Sequence, residues 1–371
     1  MLQLIKNDTE DTLQTTLPNP PIEHYQTHRI VGETYLHLMS TQQPIHSTLS
    51  NAVKQQRHQA LKLIQALTEV HAALSPHMPL LHIKGPTLSQ LIYQDPCVRT
   101  AKDIDLLVLK EDLARAHELI EQLGYVRISP SRPLSGKTLD VAIDFGKDFK
   151  YLHPESGVCI ECHYQLFINP KLLTIAQKTL WQNTTSVTIG QTVYPTLSPA
   201  IYFLYLCTHG LYSGYSRLHW LYDVQAFIDS VTFDHQACLA LAEQHQLTHI
   251  IGASLLLTKD KLNSHTPATF TDTLKDKQSI VLYNHSKTFL ENYHTRPDMI
   301  KNVRLRYQSF LMHRTLSYRL NWYRYEFYSN DLFVKCPTLT RIKGLYHVIK
   351  PFYFAYRLLR ALMPLRQLRS K

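Results

Sequence analysis

The sequence predicts an α/β layer built on a mixed sheet, followed by an all-helical region, which makes the chain α+β overall. Three observations carry this expectation. Apolar runs of strand length alternate with helical stretches between 80 and 128. Two extended runs flanking the turn Pro154-Glu155-Ser156-Gly157 then read as a hairpin. Beyond Pro195 the apolar residues recur at helical spacing throughout.

Taken in order, residues 1–45 are polar, with Pro18, Pro20 and Pro21 together, and read as a loosely held arm with one short helix over 33–39. From 50 to 74 apolar residues recur at helical spacing (Leu61, Ile64, Leu67, Val70) until Pro76 and Pro79 stop the helix. A short apolar strand at 80–83 precedes a helix over 86–93, with Pro86 in its first turn. A second strand covers 104–109, a helix over 111–123 ends at Gly124, and a third strand covers 125–128. Residues 129–138 are rich in Pro, Ser and Gly and read as a loop, and the hairpin strands follow at 148–153 and 158–166. Helices are then expected over 199–212, 218–230, 235–246, 248–261 and 279–293, with no internal repeat. This divides the chain into an arm (1–45), a sheet-bearing domain (46–195), a helical domain (196–335) and a basic tail (336–371).

Composition narrows the function. A length of 371 residues suits about two domains of ~150 residues. The longest unbroken apolar run, 200–207, is eight residues, against the ~20 that a bilayer-spanning helix needs. The first residues, MLQLIKNDTEDT, lack the basic start and apolar core of a secretory signal, so a cytoplasmic location with reduced cysteines is expected. Glycine is scarce at 11 residues, there is no Gly-x-Gly-x-x-Gly, and Gly136-Lys137-Thr138 fails as a P-loop because Ser131 stands where its first glycine belongs. The net charge of +10 belongs to the C-terminus: residues 301–371 hold 15 Lys or Arg against 2 Asp or Glu, and the rest of the chain holds 24 against 27. Within 344–371, Arg357 and Arg360 alternate with Phe352, Leu358 and Leu362 between Pro351 and Pro364, and Arg366 follows. That pattern resembles a basic interfacial helix lying peripherally at the inner membrane face, or one packed on the helical domain with its arginines outward. RNA is a third partner for such a tail.

The chemistry concentrates at Lys84-Gly85 and Arg99-x-x-x-Asp103-Ile104-Asp105. On a strand the period of two points Asp103 and Asp105 to one face and Ile104, Leu106 and Val108 to the other. Two carboxylates held together repel unless a cation lies between them, and Mg²⁺ is commonly shared between carboxylates and substrate phosphates. An exposed strand start whose aspartates cap a turn is the alternative. In the second hairpin strand Cys159, Glu161 and His163 share a face, so Glu161 is the candidate third acid; the alternative leaves it exposed on an edge strand. His163 reads as a packed hairpin residue, and His209, Arg217, Trp220 and Asp223 as residues joining helices to the sheet. Cys159-x-x-Cys162-His163 matches the c-type haem string, but haem attachment needs export, and in a strand the two cysteines point to opposite faces, so no haem is expected. His245 and His249, four apart on a helix, read as a solvated face.

The run 83–125, with Lys-Gly, then Arg, then Asp-Ile-Asp-Leu-Leu-Val, then a helix ending in Leu-Gly-Tyr, resembles a bacterial nucleotidyltransferase-like family of the DNA polymerase β-type superfamily. Residues 160–166 are similar to that family's acid-x-His-aromatic strand, and 206–228 to its His-Gly and Arg-Leu-x-Trp-x-x-Asp segment. The resemblance spans roughly 50–235. It implies the nucleotidyltransferase fold and transfer of a nucleoside monophosphate from an NTP to an acceptor. It implies Asp103, Asp105 and Glu161 as ligands of Mg²⁺ or Mn²⁺, with Lys84, Gly85 and Arg99 steadying the phosphates. The acceptor is left open among a small molecule, a lipid-linked precursor, a peptide and RNA. Pro86 and Lys102 depart from the family pattern, which keeps a second expectation, an inactive nucleotide- or partner-binding module of the same fold.

Overall fold

The computed structural model describes residues 21–130, 136–230, 232–293 and 298–327, with 348–349, 352–353 and 356. The basic tail read from the sequence lies almost wholly outside these residues. The fold is α+β. Three helices come first: α1 (Ile22–His28), α2 (Val31–Ser40) and the long α3 (Ser47–Leu74). Residues 21–40 are therefore not the loose arm expected. The polar composition hid a few apolar residues that bury completely, among them Tyr25, Ile30, Val31 and Leu38, and Gly32 lies so close to the Val98 carbonyl that a Cβ there would stand 2.0 Å from it. On α3 the apolar recurrence is real but its buried stripe runs through Leu63, Leu67, Val70 and Leu74, while Leu61 faces solvent.

The sheet follows. Its strands are β1 (Leu80–His82), β2 (Asp103–Val108), β3 (Val126–Ser129), β4 (Asp148–Leu152) and β5 (Cys159–His163), in the spatial order β1-β2-β5-β4-β3. Only β2 and β5 are parallel; β1 with β2, β5 with β4, and β4 with β3 are antiparallel. Between them lie α4 (Gly85–Tyr93), α5 (Leu113–Gln122) and α6 (Lys137–Phe145). After β5 come α7 (Gln177–Gln182) and a second hairpin, β6 (Thr184–Ile189) and β7 (Thr192–Leu197), which bonds to β1 through the Thr196 hydroxyl, donated to the His82 carbonyl at 2.6 Å. That hairpin was not predicted. Its signal, a β-branched run interrupted by Gly190, is present in the sequence but sits where the sheet already looked complete.

Beyond Ser198 the chain is helical: α8 (Pro199–Tyr212), α9 (His219–Asp229), α10 (His235–Gln244), α11 (Thr248–Leu262), α12 (Thr271–Lys275), α13 (Lys277–Glu291), α14 (Asp298–Leu311) and α15 (Leu316–Phe327). Two apolar cores result. One face of the sheet (Ile104, Leu106, Val108, Phe149, Ile160, Cys162) packs on α3 and α5. The second core joins Leu81, Ile83 and Leu107 to the N-terminal helices and to α8, α9 and α11. Helix α8 is buried almost all round, with Tyr202, Phe203 and Tyr205 each within about 1% of full burial. At ~1.5–3 kcal/mol per fully buried large apolar side chain, these alone are a strong anchor for the helices on the sheet. This second core leaves one polar face of β2 and β5 facing α8, and the candidate site lies there.

Candidate active site

Strand alternation sends Ile104, Leu106 and Val108 into the first core, which turns Asp103 and Asp105 to the opposite face. The parallel register then sets Asp105 directly beside Glu161 and Leu107 beside His163. Antiparallel pairing of β4 adds Lys150 opposite Glu161 and Asp148 opposite His163. The expected third acid is thus next to the Asp-x-Asp pair on a central strand, not on an exposed edge.

The buried histidine closes the cluster. His163 Nε2 lies 3.0 Å from Asp105 Oδ1 and 3.4 Å from Glu161 Oε2, and its Nδ1 has no hydrogen-bond partner. One ligand atom from each of Asp105, Glu161 and His163 falls within 4.8 Å of the others, a group able to hold a metal ion. Asp103, one alternation earlier, is outside that trio but within its field. Burial, then the charges of Asp105 and Glu161, push its carboxyl above the ordinary aspartate value.

Lysines face the acids. Lys84 Nζ is 2.9 Å from Asp105 Oδ1, Lys150 contacts Glu161 directly, and Lys147 contacts Asp148 and lies 3.8 Å from Glu161. Burial alone would raise Asp105, but the Lys84 ammonium and the His163 hydrogen bond outweigh it and hold the carboxyl at about 2. Glu161 is likewise held well below the usual range: burial opposes, and hydrogen bonds from His163 and Lys150 prevail. For Lys84 burial favours the neutral amine, and the neighbouring Asp105 charge reverses this and raises it.

Lys84 reaches Asp105 through a constrained turn. It has φ +64° and ψ −159°, Gly85 follows at φ +57°, and the Tyr202 hydroxyl of α8 accepts the Lys84 backbone N–H. A Cβ on Gly85 would stand 3.6 Å from the Asp103 carbonyl, so the start of α4 lies against the start of β2. Arg99 is engaged elsewhere: its Nε donates to both carboxylate oxygens of Asp223 at 3.0 Å, in a pair almost wholly buried. It ties the loop before β2 to α9, the linking role expected of Asp223, and nothing local to either residue marks them as partners. Beside that loop a cleft of about 640 Å³ is lined by Gln55, Gln59, Lys62, Thr100 and Lys102, among others.

Other motifs resolve simply. Cys162 is buried in the first core while Cys159 lies on the opposite face, and both are free thiols. His245 and His249 bond separately to the carbonyls of Thr174 and Met312, at 3.1 and 2.6 Å. Sequence reasoning missed His163 as a site residue, and Lys147 and Lys150 altogether. The hairpin register would have found Lys150, since the 154–157 turn already fixes it opposite Glu161.

Fold and site together define an α+β scaffold with a metal-capable acid cluster entered through a Lys-Gly turn. The chain belongs to the family described as uncharacterised nucleotidyltransferase, whose model matches residues 22–263, well over half its length. No curated protein and no solved structure matches it. The matched region begins at α1 and ends at the close of α11, so it takes in the N-terminal helices as well as the sheet.

Proposed function

We propose that this chain transfers a nucleoside monophosphate from an NTP to an acceptor hydroxyl, releasing pyrophosphate. One observation carries the proposal: the parallel β2–β5 register that lays Glu161 beside Asp105, on the face shared with Asp103. Asp103, Asp105 and Glu161 are the residues that would hold Mg²⁺ or Mn²⁺, with His163 alongside. The donor set fits a divalent ion, because Asp103 has its charged form disfavoured by burial and by two neighbouring carboxylates, a strain that a cation relieves. Such an ion supplies neutralisation of the charge on the phosphates.

The chain's own groups do the rest. Lys84, pinned by Asp105 and by Tyr202, sets a fixed positive charge beside the acids where phosphate oxygens would lie. A carboxylate of the cluster takes the proton as the acceptor oxygen bonds to the α-phosphorus and the bond from that phosphorus to the pyrophosphate oxygen breaks. The cleft beside Thr100 and Lys102, which sets amides and lysines among apolar side chains such as Val31, Leu63 and Val158, suits a hydroxyl-bearing acceptor. Arg99 positions the loop that carries Asp103 by holding it to α9.

A second proposal draws on the lysines. With Lys84 on Asp105 and Lys150 on Glu161, two of the three acids are already neutralised, which suits an inactive nucleotide- or partner-binding module. Calorimetry of each NTP with and without Mg²⁺, run beside the Asp103→Asn, Asp105→Asn double variant, separates the two. Transfer predicts NTP binding that needs both the metal and the aspartates. Binding indifferent to both, or none to a folded protein, favours the module.

A further inference from the structure

We propose that Arg29 and Arg217 form a polyphosphate-binding subsite facing the acid cluster, which takes the pyrophosphate end of the nucleotide. This rests on the nucleotidyl-transfer proposal and adds to it two residues from outside the sheet. Arg29 follows α1 at φ +57°, and Arg217 precedes α9. The two are brought together by their neighbours: the Leu218 backbone N–H is donated to His28 Nδ1 at 3.4 Å, so the residues flanking that contact lie side by side.

Four cations around the acids each have a carboxylate: Lys84 has Asp105, Lys150 has Glu161, Lys147 has Asp148 and Arg99 has Asp223. Arg29 and Arg217 have none within ion-pairing distance among the described residues. Two adjacent guanidiniums without a counter-ion repel, and Arg29 is also partly desolvated. Burial, then the Arg217 charge, lower it to about 10. Next to them His219, only 1% exposed, keeps Nδ1 without a partner. Burial, then the charges of Arg99, Arg29 and Arg217, lower its ring well below the ordinary histidine value. Cations arranged this way are stabilised by an anion between them.

The location says which anion. Asp103 is the acid whose charge acts on Arg29, although it lies beyond ion-pairing distance. The Arg217 guanidinium is 5.9 Å from the Trp220 ring, Trp220 is 5.4 Å from the His209 ring, and His209 lies within the fields of Lys84 and Asp105. Arg29 therefore lies within the field of Asp103, with Arg217 beside it. Guanidinium forks match phosphate oxygens in pairs, and two of them together suit a chain of phosphates better than a single carboxylate.

The test is calorimetry without Mg²⁺, using tripolyphosphate as probe and orthophosphate as comparison, on the full chain and on Arg29→Gln and Arg217→Gln. The expected result is tripolyphosphate binding weakened about tenfold or more by each arginine substitution. Arg29→Lys and Arg217→Lys, which keep the charge, should retain part of the affinity, and circular dichroism confirms that each variant is folded. Three results overturn the subsite: no tripolyphosphate binding, binding indifferent to both arginines, or orthophosphate held as tightly as tripolyphosphate. The nucleotidyl-transfer proposal fails differently, by NTP binding that ignores Mg²⁺ and the aspartates, and that failure leaves the tripolyphosphate result readable.

Discussion

Lys84 adopts φ +64° and ψ −159°, a region normally open to glycine alone. The turn is held by the Tyr202 hydroxyl, which accepts its N–H, and by the Asp105 ion pair at 2.9 Å. Backbone and side chain therefore make opposite demands, and substitution separates them. Lys84→Gly relieves the backbone and Lys84→Ala does not, so the glycine variant should be the more stable by about 1 to 2 kcal/mol in urea unfolding, while both lose the charge beside Asp105. Equal stability of the two would mean that the turn is unstrained. His163 shows the limit of residue-by-residue reasoning. A histidine two positions after a glutamate on a strand shares its face, but only the pairing with β2 sets Asp105 against its ring.

At the level of elements, the site depends on contacts that hold helices to the sheet. The buried Arg99–Asp223 pair joins the loop before β2 to α9. Asp223→Ala would leave a guanidinium buried without a counter-ion and should lower the unfolding free energy by about 3 to 5 kcal/mol. The double variant Arg99→Met, Asp223→Leu removes both charges, and should lose less than the single one. A double variant as unstable as the single would argue against this account. Gly32 does similar work for α2. A Cβ there would meet the Val98 carbonyl at 2.0 Å, so Gly32→Ala should cost about 1 to 3 kcal/mol, with faster amide exchange over 22–40. Unchanged exchange would show that the N-terminal helices do not depend on this approach. The helices from α8 to α11 and the strands β1 to β5 were legible because their apolar periods are strong. Helix α1 was not, since a handful of buried residues in a polar segment gives no period, and neither was the hairpin β6–β7, whereas α2 was legible as the short helix over 33–39.

For the molecule as a whole, acid stability tests the buried ring cluster behind β1. His82 is 1% exposed, hydrogen-bonded to His71 at 2.9 Å, and lowered to about 3 by burial and then by the His71 charge. Its folded value lies below the ordinary ~6.5, so below that pH the unfolded chain takes up a proton that the folded chain refuses. The stabilisation is complete above pH 6.5 and is lost at ~1.4 kcal/mol per pH unit as the pH falls toward 3. Urea unfolding at pH 6.5 and 5.5 should show this loss, and His82→Leu should reduce it. An identical pH dependence in the variant would assign the effect to other histidines, such as His117 and His313, both held at about 4.

By itself the sequence determined the α+β class, the strands β1 to β5 and the helices α4, α5 and α8 to α11 in their order, and the common face of Asp103 and Asp105. These follow from the local period of apolar residues, which each segment carries whatever its partners. Tertiary structure decided which acid joins the pair, which cations face the cluster, and that Arg99 pairs with Asp223 while Arg29 and Arg217 have no carboxylate partner among the described residues. Those outcomes depend on register between strands and on packing between residues up to 190 positions apart in the chain, and no local pattern encodes either.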